Sequence, residues 1–536
     1  MVTISNTTLP PEYFGSGRTL DTITGVDKTR EILFSISIVL CIALVWLSAR
    51  PKLKVPILLS DTIKSKKQRV HEYAVRSREL MSQGYREFPN QVFGIDTKDG
   101  TKVVIPLSFL DNLKSHPHLS FKACIDNVSI DQPSAINTML TLDQDMLLEY
   151  TLLGGPPEYV IHAIRGSLTP SLPQYIPILH RMIKSTQIKT LGTYKDWTPV
   201  EIYNSVLQVV GPCSARAFHG DIPSQNPEWL EVTTGYVVTV FDSIKALKKW
   251  PPYLRPIANR LLPYRAKIDH QWAKARKILA ASLKQKASLG GKAINEPPSL
   301  FDHLTSEKSP ASKESIDKQL IYQMTLVAVG TMSTFSTVVQ CIYDLAGFPD
   351  FIAGLREEAL SCPRDEDGLF DKDSLNSLKK LDSFIKESLR LSSGDLTTFH
   401  RAATADLTLP DGTFIPKGTK IETNTCAIHA DNTKFENATS FDGLRFYKYR
   451  QKPAQEHKHT LVAVTPNDLA FGFGKHACPG RYFSQIVIKI FLAEFLINYD
   501  VKCLPGQSRP KNLEFEAMVD PDPEAKVMLK SINTHS

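Results

Sequence analysis

Ala470-Phe471-Gly472-Phe473-Gly474-Lys475-His476-Ala477-Cys478-Pro479-Gly480-Arg481-Tyr482-Phe483-Ser484 is the stretch that decides the reading of this chain. Two glycines, Gly472 and Gly474, allow a tight loop whose backbone passes close to a flat ligand. Pro479 and Gly480 lead directly into a helical pattern over 481–499. A thiol placed just before a helix N-terminus is acidified by the helix dipole, and free backbone N–H groups point at its sulfur. Two other readings compete. Gly472, Gly474 and Ala477 match the GxGxxA dinucleotide fingerprint, which needs a helix opening at the glycines and a further strand carrying an acid about 20 residues on. Pro479 interrupts that helix, and the 56 residues after Gly480 leave little room for such a domain. A buried structural cysteine is the ordinary expectation for a lone thiol.

A thiolate held at a helix start is a good ligand for haem iron. The segment resembles the haem-binding loop of the cytochrome P450 family, F-x-x-G-x-H/R-x-C-x-G. Phe471, Gly474, His476, Cys478 and Gly480 occupy every fixed position of it. The resemblance implies Cys478 as axial ligand of a haem b iron, His476 near a haem propionate and Phe471 packed near the sulfur.

Other motifs stand in the order the family has them. Glu387-Ser388-Leu389-Arg390 lies on a helical pattern over 377–391, where Glu and Arg at i, i+3 share a face. By resemblance, Glu387, Arg390 and Arg445 (in Phe441-Asp442-Gly443-Leu444-Arg445-Phe446) form a buried structural network. Arg401 is implied as a propionate partner, and so are His162 and Arg165, although the family's W-x-x-x-R is absent there.

Leu320 to Tyr343 carries no charge and is long enough to span a membrane. Its many hydroxyls and the lack of a flanking basic cluster favour a buried central helix. It resembles the family's helix over the haem, with A/G-G-x-D/E-T-T/S falling on Val329-Gly330-Thr331-Met332-Ser333-Thr334. Gly330 would give room for O₂, and Ser333 and Thr334 would relay protons. Met332 stands where the family has an acid. The substrate pocket is expected near Val329, Met332, Thr397 and Thr398.

The rest of the chain frames this site. Ile32 to Ala49 is an uncharged run followed by Arg50, Lys52 and Lys54. Such a run spans roughly 27 Å and places its basic flank in the cytosol. A cleaved signal peptide and a buried core helix are the alternatives. Four segments are expected: 1–29, lumenal, with a glycosylation sequon at Asn6; 30–50, a transmembrane anchor; 51–69, a basic linker; and 70–536, the haem-thiolate catalytic domain. That arrangement puts the protein in the endoplasmic reticulum membrane as a single-pass enzyme with a cytosolic body.

Helical patterns dominate, at about 62–86, 158–188, 225–247, 266–286, 315–346, 349–361, 377–391 and 481–499. Strand patterns occur at 92–97, 101–106, 407–415 and 419–424, with a turn at Asp411-Gly412. The fold class expected is mainly α with small β-sheets (α+β), the cytochrome P450 fold with an anchor helix. A net charge of +7 without a recognition module excludes nucleic acid as a partner. Eight cysteines without a CxxC pair exclude zinc ribbons.

The function expected is a monooxygenase that inserts one atom of O₂ into an apolar small molecule. Its electrons come from NADPH through a separate reductase, which Lys475 and Arg481 would help to meet. Tyr150 to Pro156, His116 to Phe121 and Asn226 to Leu230 resemble fungal terpenoid oxidases of secondary metabolism. Lys248 to Tyr253 reads as an interhelix loop, with contact to lipid headgroups as the alternative. Alternatives are a haem-thiolate isomerase or peroxide-dependent enzyme, a haem-binding sensor, and a membrane-anchored nicotinamide dehydrogenase.

Overall fold

The computed structural model describes residues 34, 35, 37, 53–126, 147–153, 158–288 and 297–532. The chain divides into two units, Met1–Leu53 and Lys54–Ser536. Apart from the helical Phe34, Ser35 and Ser37, the expected lumenal segment, the anchor and Asn6 lie outside the described residues.

The second unit is mostly helical. Helix α1 (Lys66–Glu87) starts later than its pattern, because Ser65 caps it by accepting from the Gln68 amide. The expected helix at 158–188 is α2 (Glu158–Ala163), a π-helical step (Ile164–Leu168) and α3 (Thr169–Leu191). Helix α4 (Tyr203–His219) has no counterpart in the sequence reading. Gly211-Pro212 looks like a break there. Instead Gly211 is a packing notch: a Cβ on it would lie 2.6 Å from Thr234 Cγ2 of α5 (Pro227–Lys248).

After α6 (Tyr264–Ser288) comes the 32-residue α7 (Ile316–Gly347), capped by Ser315. Among the described residues α7 alone is long and apolar enough to cross a membrane, and most of it is buried in the body. Three of its hydroxyls bond back along the helix, Ser333 to Val329 O at 3.0 Å, Thr334 to Gly330 O at 2.7 Å and Thr337 to Ser333 O at 2.8 Å, while that of buried Thr331 has no partner among the described residues. Polar groups satisfied this way sit in a core at little cost. Helices α8 (Asp350–Ser361), α9 (Lys379–Leu391) and α10 (Arg481–Asn498) complete the frame. α3, α4, α7 and α10 meet in one apolar core through Tyr175, Val210, Phe335 and Phe491, all buried.

Among the described residues twelve short strands form four small sheets. The largest runs β1 (Phe93–Thr97), β2 (Gly100–Ile105), β8 (Lys420–Thr423), β5 (Thr398–Ala403) and β3 (Leu119–Ser120). Among the named strands of the described residues, β2 and β8 alone pair in parallel, Val103 opposite Ile421. The expected strand 407–415 is a hairpin of β6 (Leu407–Thr408) and β7 (Phe414–Ile415) around Asp411-Gly412. The others are β4 (Thr198–Glu201), β12 (Lys526–Ser531) and β9 (Tyr499–Lys502) in one sheet, and the hairpin β10 (Asn512–Phe515) with β11 (Met518–Pro521).

Candidate active site around Cys478

Positive φ values at Gly472 (75°) and Gly474 (69°) turn the loop before α10 back on itself. The Cys478 amide then donates to Phe471 O at 2.8 Å, and the Ala477 amide to Gly474 O at 3.0 Å. Arg481, expected on the partner surface, is spent on the loop: Nη1 donates to Cys478 O at 2.7 Å and Nε to Val462 O at 3.2 Å. Lys475 is exposed. The helix start alone was expected to acidify the Cys478 thiol. Burial raises its pKa and outweighs the opposing amides of Gly480 and Arg481 and the charges of Arg481 and Arg165.

Basic groups gather beside the loop. Arg401 on β5 is buried, its guanidinium 4.3 Å from the Phe399 ring centroid and 5.7 Å from that of Phe121. It donates to His400 O at 2.7 Å, and no carboxylate among the described residues pairs with it. Burial pulls its pKa down to about 10. The His476 ring lies 5.9 Å from Phe121. Burial, with Arg401, Lys475 and Arg165 nearby, holds its pKa at about 4. Arg165, from the π-helical step, donates to Lys475 O at 2.7 Å and Ala477 O at 3.4 Å. It clamps loop carbonyls. His162 is exposed and makes no hydrogen bond to the loop among the described residues.

Helix α7 has an open face. Val329 is 49% exposed, and Ser333, one turn on, is also exposed. Met332 is not on that face. The helical twist turns it into the apolar core, where it is 8% exposed. Thr334 also turns away, its Oγ1 lying 2.8 Å from Ser484 Oγ on α10. A Cβ on Gly330 would lie 2.8 Å from the Phe218 ring, so this glycine lets an aromatic of α4 approach the helix. Thr397 is fully buried, and its hydroxyl has no partner among the described residues. The Thr398 hydroxyl lies 2.7 Å from that of Thr425.

The family model for cytochrome P450 matches residues 231–529. The chain belongs to the cytochrome P450 family. It is 30% identical over 453 residues to cytochrome P450 monooxygenase AN1598 of Emericella nidulans, covering 84% of this chain and 82% of that one. It is 31% identical over 458 residues to cytochrome P450 monooxygenase olcJ of Penicillium canescens (84% and 83%) and 30% identical over 467 residues to cytochrome P450 monooxygenase braC of Annulohypoxylon truncatum (86% and 89%). This P450 is therefore an enzyme of the oxidoreductase class, a monooxygenase, and its family uses haem iron and O₂.

The residues present fit that group. A buried guanidinium without a carboxylate is costly unless an anion completes it, and Arg401 stands beside the thiol loop in that condition. A soft thiol, cationic donors and flanking aromatics are the donor set that a haem with two propionates requires.

A buried network fixes the frame of this P450. Arg390 grips Glu387 through Nε at 2.8 Å and Nη2 at 2.7 Å. Arg445 Nε lies 3.1 Å from both Glu387 oxygens. Sequence reasoning missed His429, which carries this network toward the thiol loop. Its Nδ1 lies 3.0 Å from Arg390 O, and its Nε2 accepts the Leu469 amide at 3.1 Å. Leu469 O in turn receives the Gly472 amide at 2.8 Å. The two contacts require a neutral ring with the proton on Nδ1, and burial holds the His429 pKa at about 4. The only signal in the sequence was a histidine set among apolar residues, Ala427-Ile428-His429.

Proposed function

We propose that this P450 inserts one atom of O₂ into an apolar small molecule of terpenoid type in secondary metabolism, with electrons from NADPH through a separate membrane-bound reductase. The observation that carries the reading is the Cys478 loop, with the Gly480 and Arg481 amides near the sulfur and the unpaired cation of Arg401 beside it. Haem bound there supplies the iron on which oxygen is reduced. Cys478 ligates the iron, and Arg401 and His476 take the propionates. Arg165 holds the loop, with His162 at its margin. Phe471, Gly474 and Gly480 shape the loop. Glu387, Arg390 and Arg445 keep the frame rigid.

Ser333 presents a hydroxyl on the open face of α7 and passes protons to the reacting side, while Val329 touches substrate. Thr334 ties α7 to α10, Gly330 seats Phe218, and Thr397 and Thr398 support the pocket from β5. Met332, standing where the family has an acid, is the one feature that favours an electron-independent isomerase or peroxide enzyme. Its place in the core, with a hydroxyl kept at Ser333, favours the monooxygenase.

The apolar substrate is met at a membrane. Trp250, Tyr253, Ile257 and Leu261 are 41%, 69%, 56% and 77% exposed. Lys98 Nζ donates to Lys249 O at 2.9 Å, tying that patch to the β1–β2 hairpin, where Ile57 bridges Gly94 near the start of the body. The expected anchor at 30–50 crosses the endoplasmic reticulum membrane, with 70–536 as the cytosolic catalytic domain.

The experiment is co-expression with a reductase and feeding of terpenoid candidates, read by product mass. The expected result is a product 16 mass units heavier, roughly one oxygen atom, that needs NADPH and reductase and is lost in Cys478→Ala together with the thiolate absorption band. Turnover without NADPH, or an unchanged band in Cys478→Ala, overturns the reading.

A further inference from the structure

Helix α10 has a second functional-looking stripe. Phe483 and Ser484 face α4 and α7 through Phe218 and Thr334. Tyr482, Gln485, Ile486 and Lys489, at i, i+3, i+4 and i+7, instead line a cavity of about 430 Å³ between α3, α9 and α10. Its apolar wall comes from Leu172, Ile176, Leu375 and Ile486. Its polar end is a buried cluster of two cations and one carboxylate.

The charge count at that end is uneven. Lys489 Nζ lies 2.5 Å from Asp382 Oδ1 and donates to Leu375 O at 3.1 Å. Arg450 Nη1 lies 3.2 Å from Asp382 Oδ2, which also accepts the Leu461 amide at 2.8 Å. Both Asp382 oxygens are thus used. Glu358 also acts electrostatically on Lys489, and Lys372 adds a third cation to the lining, so three cations stand against two carboxylates. The Arg450 side chain is 9% exposed, and its Nε is buried without a hydrogen-bond partner among the described residues. The side chains of Gln485 and Asn376, also lining the cavity, make no hydrogen bond among the described residues.

A buried donor left without an acceptor is costly, and a guanidinium matches an oxyanion in both charge and geometry. We propose that this cavity is a second small-molecule site, taking a phosphate-type oxyanion on Arg450, Lys489 and Gln485. The apolar wall makes room for an organic body attached to it. The site stands apart from the Cys478 chemistry, but its ligand rests on the helix that follows that cysteine.

The test titrates inorganic phosphate and phenyl phosphate into the purified, haem-loaded full chain by calorimetry, with haem absorbance followed in parallel. The expected result is one saturable site per chain with no shift of the haem band. Phenyl phosphate binding more tightly identifies an ester as the ligand, and equal binding identifies the free oxyanion. Arg450→Met, which evens the charge count, and Gln485→Glu, which places a carboxylate in the cavity, each weaken binding tenfold or more. Should Arg450→Met fail to fold, Gln485→Glu decides alone. Absence of saturable heat, unchanged affinity in Gln485→Glu, or a haem-band shift on binding overturns the proposal.

Discussion

His429 Nε2 accepts the backbone N–H of Leu469 at 3.1 Å, which anchors the chain three residues before the first glycine of the thiol loop. That bond exists only while the ring is neutral. The folded pKa, about 4, lies below the ordinary 6.5. The unfolded chain therefore binds the proton more readily between those values. The stability that His429 contributes is complete above about pH 6.5 and is lost as pH falls toward 4, about 3 kcal/mol in all. In His429→Leu the gap to wild type, measured by urea unfolding, should narrow as pH is lowered from 7 to 4. A gap that stays constant over that range refutes the assignment.

Glu387 is the only carboxylate that Arg390 and Arg445 share among the described residues. Glu387→Gln leaves both guanidinium groups buried without a full charge partner, at a cost of about 3–5 kcal/mol. Expression should yield little soluble, haem-loaded chain. Pigment per milligram of protein checks this, and near-normal loading counts against a structural role.

Arg401 should act with opposite sign in two states. Its buried charge is unpaired in the chain alone, so Arg401→Met should raise the melting temperature of haem-free protein. The same change removes a propionate partner, so haem should transfer faster to an acceptor such as apomyoglobin. If both quantities fall together, Arg401 serves packing alone.

Ser333 and Thr334 are adjacent in sequence but face different ways, and that separation is measurable. Ser333→Ala should lower product formed per NADPH consumed by about a hundredfold, the low end of what one positioned proton-transfer group contributes. Thr334→Val should leave that ratio unchanged and cost about 1 kcal/mol of stability through the lost Ser484 contact. The reverse pattern would move the proton relay to Thr334.

Gly330→Ala drives a Cβ to within 2.8 Å of the Phe218 ring. Overpacking of this kind costs about 1–3 kcal/mol. Phe218→Leu in the same chain should recover most of the loss in a thermal melt, whereas a glycine kept only for substrate room would show no such rescue.

What the sequence disclosed follows from how local each signal is. The loop at 470–480 and the Glu387–Arg390 pair are set by neighbours a few residues apart, and both were legible. Helix α4 was not, because Gly211-Pro212 reads as a break until Thr234, on another helix, is seen to fill the notch. The side-chain directions of Met332 and Thr334 depend on helical phase against α4 and α10, which one motif alignment does not supply. His429 was missed because its partners, Arg390 and Leu469, lie about forty residues to either side.

The parallel pairing of β2 with β8 has a consequence for synthesis. Val103 leaves the ribosome roughly three hundred residues before Ile421. Until then the β1–β2 hairpin carries an open edge, a template for unwanted pairing between nascent chains. Such long-range closure folds slowly. Slower translation just before β8 would prolong that exposure, and chaperone demand should peak in that interval.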